Sequence, residues 1–330
     1  MFAIMDISGC GNPECALSHR LKKRNRELGW TFFAELASVL RLGNARAAVF
    51  DCVMMVMTAK AAARKAKGKR DEFYRRSMEV LQHANIPFLV AGASAFRFCT
   101  GISRHTKDVD LYLRPHNVDA ALNAFARVGY TTEKTFPHWL AKATSGRNCV
   151  DLVFRAGNGL CEVDDSWFER AHNQELLGLR VKICAPEEML WMKAYIMERE
   201  RFDGADIAHI LESCVDKLDW AHLLRRFGPD WRVLLSHLVL FGYIYPSEIG
   251  RVPAAVMNDL ISRLKDDMPA IGPDRLCRGT LLSRQQYLAD VRERRFRDAR
   301  LEQRAHMDAG DIAFWTKAIA KENKPEEAPE

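Results

Sequence analysis

The 330-residue chain predicts an α+β fold: a short mixed β-sheet flanked by helices, followed by a helical subdomain. Three observations carry that expectation. Apolar runs of strand length and period occur at 88–91, 107–113 and 148–154; amphipathic stretches of helical period lie between them; and from Pro186 to about Asp267 the pattern is helical with short breaks. The boundaries implied are 1–70 for a basic N-terminal extension, 71–184 for the mixed core, 185–270 for the helical subdomain and 271–330 for a charged C-terminal helix and tail.

In chain order, residues 71–84 place Phe73, Tyr74, Met78, Leu81 and Ala84 on one helix face, and Asn85-Ile86-Pro87 ends it. Phe88-Leu89-Val90-Ala91, bounded by Pro87 and Gly92, reads as a buried strand feeding the turn Gly92-Ala93-Ser94. A helix starting there carries Ala95, Phe96, Phe98 and Cys99 to a stop near Gly101. In the next strand Val109, Leu111 and Leu113 point to the core, so Asp108 and Asp110 project together from the opposite face. Asn117 is placed to cap a helix with Val118, Ala121, Leu122, Phe125 and Val128 at helical spacing, ended by Gly129. Val150, Leu152 and Phe154 then share a strand face opposite Asp151, and Leu179 to Cys184 is a further strand. Pro186-Glu187-Glu188 opens a helix with proline in its first turn and acids at its positive end. Leu234, Leu235, Leu238, Val239 and Phe241 fall at core spacing. From about Gly279 the chain is charge-rich and reads as a solvated helix and tail.

Composition narrows the function classes. No apolar run reaches the roughly 18 to 20 residues that span a bilayer; the longest, Val233 to Tyr245, is broken by Ser236, His237 and Gly242. No secretory signal pattern opens the chain, so a cytoplasmic location without a membrane partner is expected. Nine cysteines spread along the sequence do not form a disulfide framework, and Cys10, Cys15 and His19 lack a fourth zinc ligand. The net charge of +6 is uneven: residues 1–70 hold 13 Lys and Arg against 5 Asp and Glu, leaving 36 against 38 beyond. The basic runs at 20–26 and 64–70 suit either a solvated arm or an RNA contact, and Met54, Met55 and Met57 offer alternative starts.

The chemistry rests on acids placed where a strand would normally be apolar. Two carboxylates at i and i+2 repel unless a cation lies between them, and oxygen-ligated Mg²⁺ or Mn²⁺ suits them. A small-residue turn at a helix start brings backbone N–H groups to an anion, as a triphosphate requires. Asp151 can complete a second metal site or act as a general base. Lys193 and Arg199, placed on one helix, offer a polyphosphate a point charge and a fork. Asp203 either orients them by pairing or caps the next helix, and Asp206 stands at the same helix start. Arg104 and Lys107, before the acidic strand, suit phosphate contacts. His105 and His138 read as ordinary loop histidines, and Trp139 as packing or as a base-stacking ring.

At Ala91-Gly92-Ala93-Ser94, Asp108-Val109-Asp110 and Asp151 the chain resembles the nucleotidyltransferase superfamily typified by DNA polymerase β. Pro186-Glu187-Glu188, Lys193, Arg199, Arg201, Asp203 and Asp206 extend the likeness to its minimal bacterial members, among them abortive-infection toxin nucleotidyltransferases. The likeness spans about residues 71–245. It implies a nucleotidyltransferase core and Mg²⁺-dependent transfer of a nucleoside monophosphate from an NTP to an acceptor hydroxyl, with release of pyrophosphate. Asp108, Asp110 and Asp151 would bind metal, Gly92, Ala93 and Ser94 cradle phosphate, and Lys193 neutralise it. The acceptor, whether RNA, protein or small molecule, and the base of the NTP stay open. A catalytically inactive module that binds nucleotide or nucleic acid, serving regulation in a toxin or defence system, is the alternative.

Overall fold

The computed structural model describes residues 58, 68–104, 108–267 and 275–322. Residues 1–57 and 59–67 of the basic extension, with Cys10, Cys15 and His19, and also His105 and Lys107, lie outside the described residues. The chain divides into two units, Met1–Lys69 and Arg70–Glu330; the architecture below is that of the second.

Residues 70–83 form helix α1, whose Met78 and Leu81 are fully buried, as the helical spacing predicts. The elements that follow are β1 (Leu89–Val90), α2 (Gly92–Thr100), β2 (Asp108–Tyr112), α3 (Val118–Arg127), β3 (Thr131–Phe136), β4 (Leu140–Ser145), β5 (Asn148–Val153), α4 (Asp165–Arg170), β6 (His172–Leu176) and β7 (Leu179–Ile183). They build one seven-stranded mixed sheet in the order β3-β4-β5-β2-β1-β7-β6. β2 pairs parallel to β5 and β1 parallel to β7, while the β1–β2, β3–β4, β4–β5 and β6–β7 pairs are antiparallel. Val90, Leu111, Val150 and Leu152 are completely buried on one face of the sheet, and each such side chain contributes on the order of 1.5–3 kcal/mol of hydrophobic burial. The alternation that hides these residues turns the intervening acids the other way.

Beyond the sheet come α5 (Pro186–Ala194), α6 (Gly204–Cys214), α7 (Trp220–Phe227), α8 (Trp231–Ile244) and α9 (Ala254–Asp266). α5 packs against α2, α6, α7 and α8, and α2 also meets α6 and β2. The helix start of α2 is thereby fixed between sheet and helices. In α8, Leu234, Leu235, Leu238 and Phe241 are buried as expected, but Val239 is 60% exposed. It falls on the outer side of the helix turn, which an apolar run alone does not distinguish.

The C-terminal stretch departs from the sequence expectation of a solvated helix. It folds as the short parallel strands β8 (Leu276–Cys277) and β9 (Arg297–Asp298), 3₁₀ turns, the short helix α10 (Leu288–Arg292) and α11 (Ala309–Glu322). Arg300 is 0% exposed and is held by Asp298 at 2.6 Å; Leu281, Ala299, Ala305 and Trp315 are buried as well. Charges that pair inward with close sequence neighbours look the same in a one-dimensional pattern as charges that face water. Among the described residues, no helix is long and apolar enough to cross a membrane, and their six cysteines are free thiols.

Candidate active site

The turn after β1 closes directly onto an acid. Ala91 N–H donates to the Asp110 carbonyl at 3.0 Å, and Gly92 begins α2 with φ +54°. A Cβ on Gly92 would lie 1.7 Å from Asp110 Oδ2 and 2.5 Å from its Cγ. Glycine is therefore required twice, for the left-handed backbone and for the carboxylate that takes the place of its side chain. The first amides of a helix have no intrahelical acceptor, and Gly92 and Ala93 line a cleft of about 680 Å³ together with Asp110, Asp151, Lys193 and Arg201. Ser94 is partly exposed and is not part of that lining.

Asp110 and Asp151 are direct partners across the parallel β2–β5 pair, one residue pair on from Val109 and Val150. Adjacent strands lie about 4.8 Å apart, so both carboxylates rise side by side from the face opposite Val109 and Val150. Loss of hydration, then the Asp151 charge, pushes the Asp110 carboxyl up to about 6, against the opposing pull of Lys193 and Arg201. Asp108 shares the strand face two residues earlier, opposite Cys149, and sits outside the cleft lining. Among the described residues no group of three or more His, Cys, Asp or Glu side chains is placed to hold a metal ion. Asp151 Oδ1 accepts from Lys142 Nζ at 2.9 Å and from the Cys149 thiol at 3.3 Å. Lys142 faces Asp151 directly across β4 and β5. The donors still suit Mg²⁺, which takes one or two carboxylates and completes its shell with water and substrate phosphate.

A second group of charges lies opposite. Lys193, in the last turn of α5, is held by Asp203 at 2.7 Å and Asp206 at 2.8 Å. Arg201 grips Asp203 with two bonds of 2.9 Å each, and Arg104, stacked 4.4 Å over the Phe96 ring, pairs with Asp206. A short hairpin presents Arg201: Met197 bridges Phe202, and Glu198 N–H donates to the Arg201 carbonyl at 2.9 Å. Despite the cost of burying it, Arg201 and Lys193 hold the Asp203 carboxyl below the usual carboxylate range. Its side chain makes no cap bond to α6, so of the two roles open to it the pairing role is the one present. Arg199 is a correction. It lies beyond the end of α5 at Ala194 rather than on that helix, exposed and outside the cleft lining, whereas Arg201 lines the cleft.

The far end of the cleft was not legible in the sequence. Trp139, Arg155, Gly157, Asn158, Leu281, Leu282, Arg284 and Trp315 line it, so residues more than a hundred positions apart meet there. Trp139 stacks on Phe136 with ring centres 5.6 Å apart and still borders the cleft. The C-terminal segment is tied to the Arg201 hairpin, because Met197 N–H donates to the Leu282 carbonyl at 3.1 Å and Ser283 Oγ donates to Glu198 at 2.8 Å. His138 is buried, bonds the Gly157 carbonyl at 3.0 Å, and has its pKa lowered by burial; its position is structural. The acids of Pro186-Glu187-Glu188 are structural too. Glu187 accepts from Asp219 N–H at 2.7 Å, and Glu188, fully buried, binds His222 at 2.6 Å and Arg226 at 3.1 Å.

Residues 70–223 match the family model described as "Nucleotidyl transferase of unknown function (DUF2204)". No curated protein matches the chain. Among solved structures, the antibiotic-resistance factor ANT(2'')-Ia is similar at 13% identity and TM-score 0.36, over 54% of this chain and 99% of its own. An antigenic nucleotidyltransferase-like protein from Paracoccidioides brasiliensis is similar at 18% identity and TM-score 0.35, over 55% and 94%. The Megavirus polyadenylate synthase is similar at 14% and 0.34, over 59% and 41%.

Proposed function

From the match of residues 70–223 to nucleotidyl transferases and the geometry of the cleft, we propose that the chain moves a nucleoside monophosphate from an NTP to an acceptor hydroxyl and releases pyrophosphate. The observation that carries this reading is the closure of the Gly92 turn on Asp110. It brings the open amides of a helix start and an acid pair into one cleft.

Each group has a role that follows from its surroundings. The triphosphate is drawn to the α2 N-terminus, where Gly92 and Ala93 permit close backbone approach. Lys193 and Arg201 neutralise it; both are already oriented by Asp203, so little side-chain freedom is lost when phosphate arrives. Asp110 and Asp108 would hold a Mg²⁺ or Mn²⁺, which when bound stabilises charge on the phosphate oxygens. The acceptor oxygen forms a bond to the α-phosphorus, the bond from that phosphorus to the pyrophosphate oxygen breaks, and the hydroxyl proton passes to a carboxylate facing the cleft. Asp151 lies on that wall. Trp139 and Trp315 contribute aromatic surface to the same cleft.

Incubating the protein with each NTP and Mg²⁺ in cell lysate, with the α-phosphate labelled, tests the reading. Label in an acceptor fraction with equal pyrophosphate supports it. Tight, metal-dependent NTP binding with no pyrophosphate from any fraction rejects it in favour of a non-catalytic nucleotide-binding module.

A further inference from the structure

The three aspartates face different surroundings. Lys193 and Arg201 act on Asp110 through their charge, and both are paired with other acids, Lys193 with Asp203 and Asp206, Arg201 with Asp203. Asp151 has a cation of its own. Lys142 Nζ stands 2.9 Å from Oδ1, and the charge of Lys142 also acts on Asp108. The contact is built into the sheet, because Lys142 and Asp151 are opposed residues of an antiparallel pair and must rise from the same face. At 27% and 18% side-chain exposure the pair is shielded from much of the solvent, so the attraction is screened less than at an open surface.

We infer that Lys142 is a built-in cation that fills the Asp151 side of the acidic group, so that the transferase works with one divalent ion where three aspartates would otherwise admit two. This rests on the transferase reading and sharpens it. A divalent ion ligated by Asp151 would be forced close to a fixed ammonium, and the repulsion disfavours it. Lys142 and Cys149 both occupy Oδ1, which leaves Oδ2 as the oxygen to receive the acceptor's proton. Lys142 is thus a positioning residue: it sets which oxygen of Asp151 is presented and keeps the second ion out.

Counting Mn²⁺ by electron paramagnetic resonance, on the full chain with an α,β-methylene NTP that cannot be cleaved, tests the inference independently of turnover. The wild type should bind one Mn²⁺ per chain. Lys142→Met should admit a second ion, about ten- to a hundredfold tighter than any second ion in the wild type, the range over which partners of metal ligands usually act. Lys142→Arg, which keeps the charge, should still bind one. Lys142→Gln repeats the test with a polar side chain if the methionine variant melts below the working temperature. Two ions in the wild type, or one ion in every variant, overturns the role of Lys142 and leaves the transferase reading standing. No Mn²⁺ in any protein, even with nucleotide, overturns both.

Discussion

Replacing Gly92 by alanine perturbs the point where backbone and chemistry meet. At φ +54° an alanine carries a left-handed backbone cost of about 1–2 kcal/mol. Its Cβ would also fall 1.7 Å from Asp110 Oδ2 and 2.9 Å from Asp110 Cβ. Rotating the carboxylate relieves the first contact but not the second, because Cβ is fixed to β2. The turn must therefore separate from the strand, and overpacking of this kind adds about 1–3 kcal/mol. Gly101→Ala is the matched control: its φ is +72°, and nothing lies within 4 Å of its added Cβ. Denaturant unfolding should show Gly101→Ala losing about 1–2 kcal/mol and Gly92→Ala roughly twice that. Pyrophosphate release should stay near wild type in Gly101→Ala and fall about a hundredfold in Gly92→Ala, the usual consequence of a misplacement near 1 Å. Equal stability loss in both variants, with activity retained in Gly92→Ala, would refute the reasoning.

Three further outcomes are expected. Because the folded pKa of Asp110 lies near 6, above its usual 3.8, the folded state binds the extra proton between those values. The Asp110 contribution to stability of the metal-free protein should thus decline as pH rises from about 4 through 6, by on the order of 2–3 kcal/mol. His138 and His237, whose pKa values burial lowers, act in the opposite sense, so the readout is the difference between wild type and Asp110→Asn across pH 4 to 7; parallel curves would contradict the assignment. Lys193→Ala should cost about 3 kcal/mol or more in thermal or chemical unfolding, since Asp203 and Asp206 lose a shared buried partner; a loss under about 1 kcal/mol, the worth of a surface pair, would show the network to be solvated. Arg201→Ala should raise the NTP KM about tenfold or more, the worth of a charged hydrogen bond, whereas Arg199→Ala leaves KM within about twofold; the reverse order would restore Arg199 to the site.

What was legible in the sequence was what local periodicity encodes. The strands holding Asp110 and Asp151, the turn at Gly92 and the helix ending in Lys193 were all readable, because each places its chemistry by alternation or helical spacing within ten residues. β3, β4 and β6 were not. Thr131–Phe136 and His172–Leu176 are edge strands, mostly exposed and polar, and show no apolar alternation. Missing β4 hid Lys142, since its meaning depends on a cross-strand register with Asp151. Arg199 and Arg201 differ only in which side of a two-residue hairpin step faces the cleft, and no local pattern separates them. The tryptophan end of the cleft joins residues 139 and 315, a contact that only tertiary structure supplies.

In the proposed reaction Asp110, closed under the Gly92 turn, serves transfer of the α-phosphoryl group. Following α-labelled and γ-labelled NTP in parallel, in the wild type and in Asp110→Asn, tests it most directly. The expected result is α label in the acceptor and γ label in free pyrophosphate, both lost in the variant while its unfolding midpoint is kept. Transfer of γ label to the acceptor, or α-label transfer undiminished in Asp110→Asn, would contradict it.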